Sequence, residues 1–241
     1  SILRLSIIQK IDFFQADEDI IAFNENIAEH ELKIMFNELD IPFTTDDIIK
    51  GISALNLGRS AGPDCLLNEF LVHGKNVFTP FLVNIFNKIM QMGYFPNTWG
   101  EGFIVPIHKK GSVSDVKNFR GITLLSVIGK LFTSIVNTRL TTWAENYYIY
   151  IEAQAGFRSK MGTSDNIFVL HGLINHVLSQ NKQLFCVFVD YSKAFDYLVG
   201  PNIWYKLYKL GIRGIIFNVI KSMYNQVRSR VKLNGCAGDM F

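Results

Sequence analysis

Apolar residues recur at helical spacing over residues 17–39, where Ile20, Ile21, Phe23, Ile27, Leu32, Met35, Phe36 and Leu39 share one face and predict a surface helix. Pro42 breaks it, since the residue before a proline is driven out of the helical region. A second helix is expected from Thr44-Thr45-Asp46-Asp47 to Leu57, with Gly58 as its stop. Gly58 to Asp64 then reads as a turn-rich loop. Thr79-Pro80 has the form of an N-cap followed by proline at the first helical position. Phe81, Leu82, Ile85, Phe86, Ile89 and Met90 would line the apolar face of that helix, and Gly93 would end it.

Residues 103–107 are a short apolar strand in which Pro106 marks an edge or a bulge, and Lys109 to Ser112 form a turn. A helix from about Ser126 to Trp143 is expected to bury Ile128, Leu131, Phe132, Ile135 and Val136. Another begins at Thr163 or Ser164 and carries Ile167, Phe168, Leu170, His171, Ile174 and Leu178 inward. Residues 184–189 are apolar throughout and end at Asp190, the pattern of a central strand covered on both faces. Pro201 opens a helix closed by Gly211, and a further helix spans roughly 214–224. Residues 227–233 alternate with a period of two, and Asn234-Gly235 is a favoured hairpin turn whose return strand has hardly begun at Phe241. Helices interleaved with few, non-sequential strands give an α+β class.

Composition adds little to this picture except through charge. A hydrophobic content of 49% with 20 Phe in 241 residues supports a packed core, and no run approaches the length of a membrane span. Residues 1–100 carry 7 basic and 13 acidic side chains, whereas residues 101–160 carry 8 and 4 and residues 161–241 carry 9 and 4. The basic excess therefore lies in the last 141 residues, where a polyanion would be attracted at modest salt. Cys65, Cys186 and Cys236 have neither disulfide-framework nor zinc spacing, and Cys186 is expected to be a buried thiol. Ser1 and the absence of a signal-like start fit an internal piece of a longer protein handled in the cytoplasm and nucleus.

The chemistry concentrates at Val189-Asp190-Tyr191-Ser192-Lys193-Ala194-Phe195-Asp196. A carboxylate at the end of a buried strand is rigidly held and can meet a hard cation such as Mg²⁺. Nucleotidyl transfer with two ions needs more than one such carboxylate. Taken alone, a single Asp ending a strand is usually a cap or turn residue.

That stretch resembles the first palm motif of reverse transcriptases from non-LTR, LINE-like retrotransposons, and the likeness extends in order over nearly the whole chain. Leu57 to Asp64 resembles their fingers-side loop, followed by Asn87, Gly93, Pro96, Trp99 and Ile104 to Gly111. Asn118-Phe119-Arg120-Gly121-Ile122-Thr123-Leu124-Leu125-Ser126 with Lys130 resembles the first fingers block. Gln154-Ala155-Gly156-Phe157-Arg158 with Thr163-Ser164-Asp165 resembles the next.

The resemblance implies a right-hand polymerase: a helical extension over residues 1–43, fingers and fingers–palm helices over 44–183, and an incomplete palm over 184–241. It implies that Asp190 and the Tyr191 backbone carbonyl bind metal, with two Mg²⁺ ions in a complete enzyme. Phe195 matches the residue beneath the incoming sugar, where its ring would exclude a 2′-hydroxyl; it reads equally as a core aromatic. Asp196 is a secondary candidate, for metal or for capping. Arg120, Lys109 and Lys110 would contact the nucleotide, the two lysines standing equally as solvated surface. Gln154, Gly156 and Arg158 would lie by the template. The implied partners are an RNA template, a DNA primer and deoxynucleoside triphosphates.

Departures from the family pattern are specific. The chain contains no Tyr/Phe-x-Asp-Asp sequence, and after Asp196 its only acidic residue is Asp239. Cys65 stands where relatives place glycine after Pro-Asp. Two functions follow: an RNA-directed DNA polymerase in a complete parent protein, or a nucleic-acid-binding remnant without chemistry.

Overall fold

The computed structural model describes residue 23 and residues 36–191, 194–195 and 197–241. Most of the helix expected over 17–39 lies outside the described residues; its last turn is a 3₁₀ turn at Asn37–Leu39.

Helix α1 (Thr45–Ser53) starts as its sequence dictates. The Thr44 hydroxyl accepts from Asp47 N at 3.2 Å, and Asp47 Oδ2 accepts from Thr44 N at 2.8 Å, a reciprocal cap that satisfies two otherwise orphaned donors. The helix ends before Ala54 rather than near Leu57. Helices α2 (Asn68–His73) and α3 (Lys75–Met92) follow, joined at Gly74. Thr79-Pro80 is thus no N-terminus: Thr79 is buried in the interior of α3 and donates its hydroxyl to Lys75 O at 2.6 Å. A threonine that bonds back one turn is an interior residue, so the cap pattern misled. Gly93 ends α3 as expected.

After the single turn α4 (Asn97–Gly100), β1 (Glu101–His108) runs antiparallel to β2 (Phe119–Leu125), with Val105 opposite Ile122 and Ile107 opposite Arg120. Helix α5 (Val127–Asn146), capped by Ser126, is the spine of the core and buries Leu131, Phe132, Ile135 and Val136, with Ile128 half-buried. Helices α6 (Thr163–Ser179), α7 (Gly200–Lys209) and α8 (Gly214–Asn225) lead to β3 (Arg228–Leu233) and β4 (Cys236–Ala237). The sheet order is β2-β1-β3-β4, and β3 lies parallel to β1. That pairing stops at Ile104 and Val231, so Pro106 sits past it, where the missing N–H costs no ladder bond with β3.

Aromatic rings from two helices and two connecting segments meet in the core. Phe132 of α5 lies 5.1 Å from Phe86 of α3, 5.9 Å from Phe95 and 6.0 Å from Phe43, centroid to centroid. Edge-to-face stacking of this kind adds to simple burial. Trp204 of α7 stacks edge-on against Phe217 of α8, extending the core.

Four further expectations are corrected. Residues 184–189 are not a central strand: they form no regular element, and Phe185, Val187 and Phe188 are more than 80% exposed. An apolar run becomes a strand only where another strand takes its backbone groups and its faces are covered, and among the described residues none does. Cys186 within it is exposed, not buried. Helix α6 forms, with Gly162 N donating to Asp165 Oδ2 at 2.7 Å, yet Ile167, Phe168 and Leu178 face solvent and His171 is exposed. The hairpin is more complete than expected: Asn234 and Gly235 both have positive φ, as a tight primed turn requires, and pairing continues to Ser229 and Phe241, whose N–H groups bond each other's carbonyls at 2.9 Å.

Candidate functional site

The β1–β2 connection is held by bonds among its own backbone groups and the Asn118 and Asp115 side chains, none of which uses a cationic side chain. Lys109 N donates to Asn118 O at 2.8 Å, Asn118 Nδ2 to Ser112 O at 2.9 Å, and Lys117 N to Asp115 Oδ1 at 2.9 Å. Lys109, Lys110, Lys117 and Arg120 are all exposed around this tip, and among the described residues none is ion-paired.

The glycine-rich loop packs against the N-terminus of α5. Asp64 Oδ2 accepts from Val127 N at 2.8 Å and its Oδ1 from Leu66 N at 3.2 Å. A Cβ on Gly62 would stand 2.1 Å from Leu125 O, so only glycine permits this approach. Asp64 thereby serves as an anchor, joining the loop to the end of β2. Burial pulls the Lys130 amine below its ordinary range, and Asp64 partly offsets this.

The Gln154–Arg158 block is folded back on α5. Arg158 grips Glu145 with two bonds of 3.0 and 2.7 Å and donates to the carbonyls of Ile151 and Gln154 at 3.4 Å. This pair holds the Glu145 carboxyl below the usual carboxylate range and raises the guanidinium further. Gln154 Nε2 donates to Gly156 O at 3.3 Å, and open space surrounds Gly156. The block meets the last motif through its aromatic residue: Phe157 and Phe195 stack edge-on at 6.3 Å. Phe195 remains 58% exposed.

Asp190 stands at the end of the irregular exposed segment rather than at a strand mouth, and among the described residues it makes no hydrogen bond or ion pair. Asp196 lies outside the described residues. Among the described residues no three His, Cys, Asp or Glu side chains cluster in a metal-binding group. One carboxylate and the Tyr191 carbonyl fit part of the oxygen shell of a single Mg²⁺, not a pair of ions. Sequence reading missed two roles, the Asp64 anchor and the Glu145 partner of Arg158. The first is signalled only by Pro-Asp behind a glycine; the second, 13 residues away, carries no local signal.

Residues 107–239 match the family model described as reverse transcriptase (RNA-dependent DNA polymerase). The chain belongs to the reverse transcriptase family. It is 30% identical over 196 residues to the RNA-directed DNA polymerase from mobile element jockey of Drosophila melanogaster, covering 80% of this chain and 21% of that protein. It is 26% identical over 201 residues to a probable RNA-directed DNA polymerase from transposon X-element of the same organism, covering 80% and 21%. Over 120 residues it is 31% identical to a Pol polyprotein from type-1 retrotransposable element R2 of Popillia japonica, covering 50% and 16%. The chain thus spans about a fifth of the length of the first of these relatives. Both the β1–β2 tip from Ile107 and the Asp190 motif fall within the matched reverse transcriptase region. Among the described residues, no helix is long and apolar enough to cross a membrane.

Proposed function

We propose that this chain is the fingers and part of the palm of an RNA-directed DNA polymerase from a non-LTR retrotransposon, acting within a longer protein. The observation that carries this reading is the family match across residues 107–239, a span that includes Lys109, Lys110, Arg120 and Asp190. The reaction is attack of a primer 3′-hydroxyl oxygen on the α-phosphorus of a deoxynucleoside triphosphate, with loss of the hydroxyl proton and departure of pyrophosphate. Arg120, Lys109 and Lys110 attract the triphosphate, Arg120 through its planar fork and the lysines as point charges. Phe195, braced by Phe157, blocks a ribose 2′-hydroxyl beneath the incoming sugar. Gln154, Gly156 and Arg158 border the template, Arg158 by fixing the shape of its loop. Asp190 and the Tyr191 carbonyl would hold one Mg²⁺, which when bound neutralises phosphate charge; a second ion needs carboxylates beyond those described. The protein would act in the cytoplasm and nucleus.

The test is template-dependent dNTP incorporation on primed RNA with Mg²⁺. The 241-residue chain alone is expected to incorporate nothing, for want of carboxylates. The longer protein is expected to incorporate, and Asp190→Asn to reduce it to background. Incorporation indifferent to Asp190→Asn would overturn the reading, while RNA binding without incorporation by the longer protein would select the non-catalytic remnant.

A further inference from the structure

Phe157 holds a backbone conformation that a side chain resists. Arg158 N donates to Ala155 O at 3.4 Å, closing a tight turn with Gly156 and Phe157 at its centre. Phe157, the third residue of that turn, has a φ of 64°. A turn with positive φ at its third position ordinarily places glycine there, and a bulky residue in its stead is strained. Here the glycine stands one residue early, in open space, and the aromatic residue carries the strain. Such a conformation persists only where surrounding contacts over-determine it.

Those contacts are made by Arg158. Its guanidinium grips Glu145 through bonds of 3.0 and 2.7 Å, and its Cζ lies over the Tyr150 ring at 5.4 Å. Nη1 also donates to Ile151 O and Gln154 O at 3.4 Å, which ties the approach to the turn to the same group. The Arg158 side chain is 15% exposed, so water and salt screen this pair less than an ion pair on the open surface. Glu145 stands in the last turn of α5, directly after Trp143 and Ala144, both buried in the core. The ion pair therefore fastens the strained turn to the rigid part of the molecule. Held in this way, the Phe157 ring meets Phe195 edge-on at 6.3 Å, within the range of attractive aromatic pairs. Phe195 is largely exposed, and among the described residues no other ring stacks on it.

We propose that Glu145 and Phe157 are positioning residues for sugar discrimination. The Glu145–Arg158 pair holds the strained turn at Phe157, and that turn sets where the Phe195 ring stands against the incoming sugar. The inference rests on the polymerase reading, in which Phe195 excludes a ribose 2′-hydroxyl. Steric exclusion depends on position, and a displacement on the order of 1 Å is enough to change a rate many-fold. Loss of the ion pair lets the Phe157 backbone relax, withdraws its ring and leaves Phe195 free to yield to the larger sugar. Neither Glu145 nor Phe157 has to touch the nucleotide for this to happen.

The experiment is steady-state incorporation by the longer protein on primed RNA. Its readout is the ratio of kcat/KM for a deoxynucleotide to that for the matching ribonucleotide. Glu145→Gln keeps the side chain's shape but removes the charge that Arg158 grips. It is expected to lower the ratio by about tenfold, through a smaller KM for the ribonucleotide, with kcat for the deoxynucleotide within about threefold of the parent. Phe157→Ala should lower the ratio similarly, and Phe157→Tyr, which keeps a ring, should preserve it. The double variant Glu145→Gln, Phe157→Ala should do no more than either change alone, because both act through one contact. An unchanged ratio in Glu145→Gln, or an equal loss of both activities, would overturn the proposal. Phe195→Ala separates the two readings. If it relaxes the ratio while Glu145→Gln and Phe157→Ala do not, the brace falls and the role of Phe195 stands. If Phe195→Ala leaves the ratio unchanged, the role of Phe195 falls, and sugar discrimination by this route falls with it. A second measurement needs no catalysis. In the 241-residue chain, nuclear Overhauser contacts between the Phe157 and Phe195 rings are expected in the parent and lost in Glu145→Gln, with circular dichroism showing that the variant is folded. Contacts that persist in that variant would overturn the coupling whatever the longer protein does.

Discussion

Cys65 adopts a φ of 57°, in the left-handed region that costs a side-chain-bearing residue roughly 1 kcal/mol or more. Its neighbours explain why the backbone turns there: Cys65 N donates to Gly62 O at 3.1 Å, closing the turn that lets Asp64 reach Val127. Cys65→Gly should therefore stabilise the chain by about 0.5–1 kcal/mol, the relief of strain exceeding the added freedom of the unfolded chain. A lower melting temperature for this variant would show that the Cys65 side chain itself matters. Lys206 is the opposite case, a charge in the wrong place. It is 6% exposed, its Nζ has no hydrogen-bond partner among the described residues, and burial brings its pKa down to about 8. Below pH 8 both folded and unfolded chains hold the proton, and the fold bears the full penalty of a buried ammonium. Between pH 8 and the ordinary lysine range the unfolded chain binds the extra proton, so stability rises with pH. Lys206→Met should thus raise stability at pH 7 by on the order of 1 kcal/mol and remove that rise, as thermal melts from pH 7 to 10 would reveal. Cys65 was legible as an anomaly because the family pattern has glycine there. Lys206 was not, since it sits among ordinary helix-forming residues and only packing buries it.

Elements held by local chemistry were read well, and those that need a distant partner were not. The capping box at Thr44, the Ser126 cap and the Asn234-Gly235 turn each form from a few adjacent residues, and all three stand where the sequence places them. Strand β2 was not recognised as a strand, because Phe119 to Leu125 lacks clean alternation and depends on β1 for its pairing. The run 184–189 failed in the other direction, since its composition demands a sheet that the described residues do not supply to it. This makes a sharp prediction. Phe188 is 83% exposed, so Phe188→Asp should change stability by less than about 0.5 kcal/mol while reducing the binding of a hydrophobic dye and the tendency to aggregate. A loss of 2 kcal/mol or more would mean that the ring is packed. The same physics accounts for α6, whose Ile167 and Phe168 await a cover that no described element provides.

At the scale of the molecule, one short stretch ties the two ends of the chain to its middle. Asn87 of α3 pairs with the Phe43 backbone through both amide atoms, accepting at 2.6 Å and donating at 2.9 Å. Arg139 of α5 donates to Leu39 O and Ile41 O at 3.2 and 2.5 Å and lies over the Phe43 ring at 4.1 Å. Asp40 reaches 175 residues along the sequence, its two carboxylate oxygens accepting from Ile215 N at 3.0 Å and Ile216 N at 2.7 Å. These donors open α8, where orphaned N–H groups and the helix dipole both favour a carboxylate. Asp40 therefore caps a helix it does not precede, a function that no local pattern could announce. Helix α8 in turn buries Ile216, Phe217 and Ile220 in the core and leads directly into β3, so the cap also fixes where the basic strand begins. Asp40→Ala should lower stability by about 1–2 kcal/mol, the range for losing a helix cap together with a long-range bond. Asp40→Asn should recover only part of this, because its amide offers one acceptor oxygen to two donors and sets an N–H₂ against the other. If the melting temperatures of Asp40→Ala and the parent coincide, water caps α8 equally well, and the stretch from Phe36 to Thr44 is not the tie proposed for it.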